Sequence, residues 1–517
     1  MLRTTASALL VLALTSVPVF AQTPLPTPAD QRGQPTPADQ QGQPTTPAFS
    51  LEEAIALALQ KNFDLQLQAY TLENARDQVA IQEAAFDPTL TASGVRSLNQ
   101  AASATSALDG TTREGPRNDN TTFRVGASLP RIPATNGTLS VNTNLSRAAT
   151  NSTNALVNPS FGNNISANLN QPLLRDAGRH AATAALNRSR LGLNVASINY
   201  RSRVLSVISD AENAYYNLVA TRETLRIRQL TLQNNQRFLD ESVTRRTTGV
   251  ATDLDVLSAD VQVANGRRSV IQAEQNVRDA EDRLLNLINV PNFEVRVGPV
   301  AFEDYKAGAP NFAASYRRAR AFYPDTLSAE ETIKQLAIDL ETARRNTLPT
   351  LDLVASAGYS ARATNEGYQQ AISNLPNDHG NNWQVGLNYS MPWGRNADKA
   401  RYRIAQSNLN SQKVRLEQLE QTLLINVRSS VRAVETNLAA AEIAAKATEL
   451  AARQYDQQKA RFDAGLSTSR LVLLAQDDLE NARFQELTAR LALRRAAAEL
   501  ARLEGSSLER FRIQLPE

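Results

Sequence analysis

GVATDLDVLSADVQVANGR, beginning at Gly249, aligns without a gap with GLSTSRLVLLAQDDLENAR, beginning at Gly465, at an offset of 216 residues. A second pair keeps that offset once four residues are gapped: QPLLRDAGR ending at Arg179 and MPWGR ending at Arg395. Each half reads helix, strands, long helix, glycine turn, helix. A chain that repeats order, lengths and turn residues at one period is built from two copies of one supersecondary unit. Its fold must therefore pair two equivalent halves, here 49–298 and 299–505, with a tail at 506–517.

The helical segments set the dimensions. A helix pattern opens at Ser50, where Glu53 completes a capping box, and runs as one helix to Asp87-Pro88. A pattern of roughly 70 residues then joins Gly178 to Gly249, and a shorter one covers Thr252 to Ile288. The second half has one helix over Asn311–Thr347, a long one over Gly394–Gly465 and a last one to Leu503. At 1.5 Å per residue a 70-residue helix is about 105 Å long. Two short helices end to end match it, so each long helix is expected antiparallel to a stacked pair, with the glycine turn at the far end. Leu416, Leu419, Leu423, Val427, Val431, Val434, Leu438, Ala441 and Ala445 keep the three-and-four spacing of a coiled-coil seam. The helical part reads as a rod.

Between the helices the period changes from 3.6 to 2. Phe123, Val125, Ala127 and Leu129 alternate with Arg124, Gly126 and Ser128, and Trp383, Val385, Leu387, Tyr389 and Met391 alternate in the same way. Residues 89–97, 122–130, 138–147 and 163–172 suggest four strands in the first half, against 350–360 and 383–392 in the second. Apolar-out, polar-in segments of about ten residues with long polar loops are the pattern of an outer-membrane barrel, with a soluble β-domain as the alternative. Some six strands are fewer than a closed barrel needs, so closure requires several chains. The extra pair either joins the barrel or folds outside it. VPNFEVRVGPV, within Val290–Pro310, is a further strand candidate.

The N-terminus carries Arg3, an apolar stretch from Ala8 to Leu14 and Val19-Phe20-Ala21 before Gln22, the pattern of a secretory signal over 1–21. Two near-identical nonamers, PTPADQRGQ and PTPADQQGQ, make 22–48 an extended linker. No other apolar run is long enough for a spanning helix, so any membrane crossing must be made by strands. The 55 basic residues are balanced by 52 acidic ones, which argues against nucleic acid as a partner. The absence of cysteine excludes disulfides, thiolate metal sites and a lipidated N-terminal Cys. His180 and His379 lack ligand spacing, and no nucleophile or phosphate-loop motif occurs, so neither enzyme chemistry, metal nor cofactor is expected. From the residues alone, a passive export duct and a non-conducting coiled-coil scaffold both remain open.

The signal, the duplicated halves, QPLLRDAG and MPWGR at the strand-to-helix junctions (Pro172, Gly178; Pro392, Gly394), and RRTTGVATDLDVLSAD with ARFDAGLSTSRLVLLAQ resemble the TolC family of outer-membrane efflux proteins. The resemblance covers essentially residues 49 to 504. It implies a mainly α protein with a membrane β-barrel section. That protein is a homotrimer in the outer membrane of a Gram-negative-type bacterium, its barrel continuous with a periplasmic α-helical coiled-coil barrel. An equatorial belt is implied at Val290–Pro310 and the C-terminal tail. So are outer-membrane lipid, a periplasmic adaptor (membrane fusion) protein and an inner-membrane pump as partners. The implied function is that of the outer channel of a tripartite efflux or type I secretion system, with no enzymatic activity.

Under the resemblance, Gly249 and Gly465 are the periplasmic turns. In the family, acidic residues just after the second turn narrow the entrance. Here Asp255 holds the matching position in the first half, whereas the second has Leu471 and Leu474. The candidate constriction is therefore an apolar ring of Leu471 and Leu474 or an acidic one from Asp253, Asp255 or Asp477, with a solvated helix face the plainer role for Asp255.

Overall fold

The computed structural model describes residues 49–513 apart from 106–107, 109, 153–154, 250, 291–296, 303–307 and 365–366. The signal at 1–21, the linker at 22–48, most of the VPNFEVRVGPV strand candidate and tail residues 514–517 lie outside the described residues.

The helix expected from Ser50 to Asp87 is two helices, α1 (Leu51–Lys61) and α2 (Phe63–Ala84). Ser50 and Glu53 form the expected capping box, with both bonds at 3.1 Å. The break falls at Asn62, in extended conformation with ψ 127°. Its Oδ1 accepts from the amides of Asp64 and Leu65, at 3.0 and 3.3 Å. An asparagine that offers its own acceptor to the next amides starts a new helix rather than continuing the old one. Two helices also replace the single one expected over Asn311–Thr347: α5 (Phe312–Phe322) and α6 (Pro324–Arg345). Pro324 has no N–H to give and forces Tyr323 out of helical geometry, which makes it a natural first residue for α6. Both halves thus carry an 11-residue helix, one break residue and a 22-residue helix. Different residues produce the same break.

The long helices are α3 (Gly178–Thr247, 70 residues) and α8 (Asn396–Asp463, 68 residues), followed by α4 (Asp253–Leu287) and α9 (Ser469–Glu504). A short C-terminal helix follows at Ser506–Arg510. At the sheet end the layer runs α2–α3–α6–α8, and at the turn end α4–α3–α9–α8. Leu423, Val427, Val431 and Val434 are buried against Leu493, Leu500 and Leu503 of α9 and Ala319 of α5, so the seam read from α8 is a packed one. A larger cluster joins Leu51 and Ile55 of α1, Ile208 and Tyr216 of α3, and Leu284 of α4. Val297, Val300 and Phe302 pack against it, as do Leu508, Phe511 and Ile513 from beyond α9. Arg222 ties this region together, donating to Glu281 Oε1 at 2.6 Å and to the carbonyls of Val297 and Gly298 at 2.7 and 2.5 Å. No helix of the described residues is long and apolar enough to cross a membrane.

The strands are β1 (Thr89–Gln100), a ribbon of β2 (Ala104–Thr105) and β3 (Thr112–Arg113), β4 (Arg117–Leu129), β5 (Thr138–Thr150), β6 (Ser160–Pro172), β7 (Thr350–Thr364) and β8 (Gly380–Ser390). One antiparallel sheet contains six of them, in the order β1-β4-β5-β6-β7-β8, so all four long strands of the first half join the two of the second. Cross-strand rows separate the faces. Leu90, Ala127, Val141, Ala167, Ala357 and Trp383 stand in one row, and Thr91, Gly126, Asn142, Ser166, Gly358 and Asn382 in the next. Period-2 alternation puts the first row on an apolar face and the second on a polar one. On β7 the apolar band runs from Leu351 to Tyr359, about 27 Å along the strand at 3.4 Å per residue. A helix absent from the sequence reading, α7 (Tyr368–Ser373), follows β7. Tyr368 meets Phe123 and Phe161 edge-on at 6.0 and 5.0 Å, so this segment folds back over the apolar face.

Candidate functional site

The two glycine turns lie together where α3 and α8 end. Gly249 (φ +79°) and Gly465 (φ +74°) both occupy the left-handed region, where a Cβ is strained, and each follows the last residue of a long helix by two. Behind Gly465 the chain closes a Schellman motif: Gly465 N donates to Phe462 O at 3.0 Å and Leu466 N to Arg461 O at 2.8 Å. Gly249 N donates to Arg246 O at 3.0 Å in the equivalent way. The glycines therefore end the helices by satisfying their last carbonyls.

Past the turns the halves differ. Thr252 caps α4 in a reciprocal box: Asp255 N donates to Thr252 Oγ1 at 3.3 Å, and Thr252 N donates to Asp255 Oδ2 at 3.0 Å. Thr468, the equivalent cap of α9, makes no side-chain capping bond, and Leu471, standing where Asp255 stands, has no acceptor for the Thr468 amide. The neighbouring Ser469 instead donates its hydroxyl to Asp255 Oδ1 at 2.6 Å. The hydroxyls of Ser469 and Thr252, then the Thr252 amide, hold the Asp255 carboxyl below the usual carboxylate range. Asp255 is thus a tie between the two turns.

Three further contacts bind the hairpins. Arg245 stacks over the Phe462 ring at 4.0 Å and donates to Phe462 O and Asp463 Oδ1 at 3.3 and 3.4 Å, a cation placed on the C-terminus of α8. Phe462 is buried in a cluster with Phe238, Ala259 and Val472. Gln476 Nε2 donates to Asn235 Oδ1 at 2.6 Å, and Asn235 Nδ2 to Gln262 O at 3.2 Å. Nothing in the spacing of the sequence marks Arg245, Asn235, Phe462, Ser469 or Gln476. Their partners come from the other half of the chain.

The remaining candidates separate by face. Asp253 is exposed and pairs with Arg246 across its own turn at 3.1 Å. Leu471 and Leu474 are 45% and 56% exposed, while Val472, Ala475, Gln476 and Leu479 of the same helix are buried inward. The two leucines are three residues apart and so share a stripe that the described residues leave exposed. Asp477 continues that stripe at the same spacing, with Asp478 beside it; local burial, then the Asp478 charge, hold its carboxyl above the usual range. At this end of the molecule, exposed leucines and one acidic pair share a face of α9.

At the opposite end of the long helices the junction residues join strand to helix. Pro172 ends β6, and Gly178 (φ +82°) opens α3; Pro392 and Gly394 (φ +82°) lie between β8 and α8, with Arg395 also left-handed. Arginines stitch this level together. Arg345 donates to Ala177 O at 3.0 Å, Arg395 to Thr347 O at 2.8 Å and Arg131 to Ala182 O at 3.2 Å. His180 and His379 lie in separate places, His180 in α3 and His379 edge-on to Tyr359 at 4.7 Å.

The family model described as outer membrane efflux protein matches residues 127–290 and 316–506. Over 204 residues the chain is 31% identical to the pyoverdine export outer membrane protein OpmQ of Pseudomonas aeruginosa, a stretch covering 38% of this chain and 41% of that protein. Over 327 residues it is 22% identical to the outer membrane protein TolC of Escherichia coli, covering 61% of this chain and 66% of TolC. The aligned stretches thus span less than two thirds of either relative. Among solved structures, the outer-membrane channel OprN superposes with a TM-score of 0.66 at 17% identity, covering 88% of this chain and 89% of that one. The CmeC outer membrane channel of Campylobacter jejuni superposes at 0.63 and 18%, covering 88% and 86%. The tandem helix–strand–helix halves, the six-stranded sheet and the family match lead to one assignment: the chain belongs to the outer membrane efflux protein family.

Proposed function

We propose that three copies of this chain form a passive export duct, a β-barrel in the outer membrane continued by a helical tube through the periplasm. The observation that carries this reading is a set of matched open edges. The sheet ends in β1 and β8, which run antiparallel and have no outer partner among the described residues. The helix layer at the sheet end stops at α2 and α8, where Leu67, Tyr70 and Ile81 on one and Ile404, Val414 and Ile425 on the other are exposed. At the turn end it stops at α4 and α8, with Leu254, Leu257 and Val261 exposed against Ile443 and Leu450. Apolar faces of this size need a partner. A rotated copy offers β8 to β1 and α8 to both α2 and α4, so one symmetric contact covers every edge.

The wall then consists of the polar sheet face towards water and the apolar face towards lipid. The leucine stripe at the turns forms the entrance, and a periplasmic adaptor and an inner-membrane pump engage that end. The duct carries out no catalytic step, and its cargo is selected by the pump. The relative OpmQ is named for pyoverdine export, which makes pyoverdine a suitable first cargo to assay. The mass of the detergent-extracted protein tests the assembly: three processed chains per particle are expected, and a monodisperse monomer overturns the reading.

A further inference from the structure

We propose that each chain gives all six strands to the barrel, so that the trimer closes eighteen strands through β1 of one copy and β8 of the next. This rests on the trimeric duct described above and adds the strand count and the seam. The first observation is that the β4–β5 hairpin is an integral part of the wall. β4 pairs with β1 along its length and β5 with β6, and the cross-strand rows run through the hairpin without a change of face. Its turn is fastened at the strand-to-helix level. Gly178 N donates to Thr135 O at 3.1 Å, Asn136 Nδ2 to Asp176 O at 2.8 Å, and Gln171 Nε2 to Thr135 O at 3.0 Å.

The second observation is one of width. The sheet feeds a layer of four helices, since α2 leads into β1, β6 into α3, α6 into β7 and β8 into α8. Four helices side by side at about 9–10 Å occupy roughly 36–40 Å of circumference. Strands spaced about 4.8 Å apart and tilted about 40° each take roughly 6.3 Å. Six strands therefore span about 38 Å, and four only about 25 Å. With the hairpin in the wall, sheet and helix layer have the same arc, and the tube crosses the junction without tapering. The closed barrel has a backbone diameter of about 36 Å by the same spacing, in the range where barrels keep an aqueous lumen. An even strand number also leaves β1 and β8 antiparallel, as closure requires, with Ala92 and Trp383 on the same face.

The chain has no cysteine, so disulfide trapping in the full-length protein reads the seam directly. Ala92→Cys on β1 is combined in turn with Asn381→Cys, Trp383→Cys, Val385→Cys, Leu387→Cys and Tyr389→Cys on β8. At least one pair is expected to give covalent trimers on oxidation. Val141→Cys on β5 with the same β8 partners is expected to give none, because β4 and β6 flank β5 on both sides. Crosslinking from Val141 with none from Ala92 overturns the proposal, since it places the seam at β5 and β1–β4 outside the wall. Image reconstruction of the unmodified particle counts the strands. Eighteen upholds the proposal, whereas a trimer with twelve overturns it and leaves the duct intact. A particle that is not trimeric fails both.

Discussion

The two glycine turns match in sequence, yet only one of them caps its following helix with its own side chains. In the first half Thr252 and Asp255 close a reciprocal box, and in the second Thr468 has no such partner because Leu471 replaces the aspartate. The missing acceptor in one turn is offset by the surplus in the other, since Ser469 reaches across to Asp255. Likewise Arg245 of the first half caps α8 of the second, while Phe462 fills the space beside Phe238. Asymmetry between repeats has become adhesion between hairpins. It also leaves Leu471 and Leu474 free of internal duties, available to line an opening.

Contact between the two hairpins depends most on Phe462. Phe462→Ala removes a buried ring from the cluster and the surface on which Arg245 stacks, and a loss of about 3 kcal/mol is expected from similar truncations. Denaturant unfolding with a probe at the turns checks this, and early proteolysis at Ala464–Thr468 should accompany it.

A smaller effect is expected from Asp255→Leu, which makes the first turn resemble the second. It removes a capping box and the cross-hairpin bond, at a cost of about 1–2 kcal/mol. Hydrogen exchange should quicken in the first turn of α4 and around Ser469. Acid should act in the same direction. The Asp255 carboxyl titrates below its ordinary value in the folded protein, so its contribution is present above that value and lost as pH falls through the lowered one. Exchange at the turn should therefore rise in the native chain as pH falls below the ordinary carboxylate range, and change little in Asp255→Leu.

Least stability is at stake in Leu471→Ala with Leu474→Ala, because exposed side chains lose within about 0.5 kcal/mol on truncation. The readout here is current. Widening an apolar entrance should raise single-channel conductance, and an unchanged current would place the narrowest ring elsewhere.

Much of this arrangement was legible in the sequence, for identifiable reasons. Glycine at a required positive φ marked both turns, and alternation marked the strands, because each signal is local. The helix break at Pro324 was readable from its missing N–H, whereas that at Asn62 depended on a side chain choosing amides over solvent. The strands extend beyond the apolar alternation, as at Arg117–Thr121, because backbone pairing continues past the apolar band. The membership of the β4–β5 hairpin and the Asp255–Ser469 bond were not legible, since each depends on partners far away in the chain. The helix α7 is held by Phe123 and Phe161, which no local window contains.

Conduction by the assembled chain is the property on which the export duct stands or falls. The purified trimer, inserted into a planar lipid bilayer, is predicted to give discrete single-channel steps that grow when Leu471 and Leu474 are both replaced by alanine. Insertion of a stable trimer with no conductance in either form would contradict it.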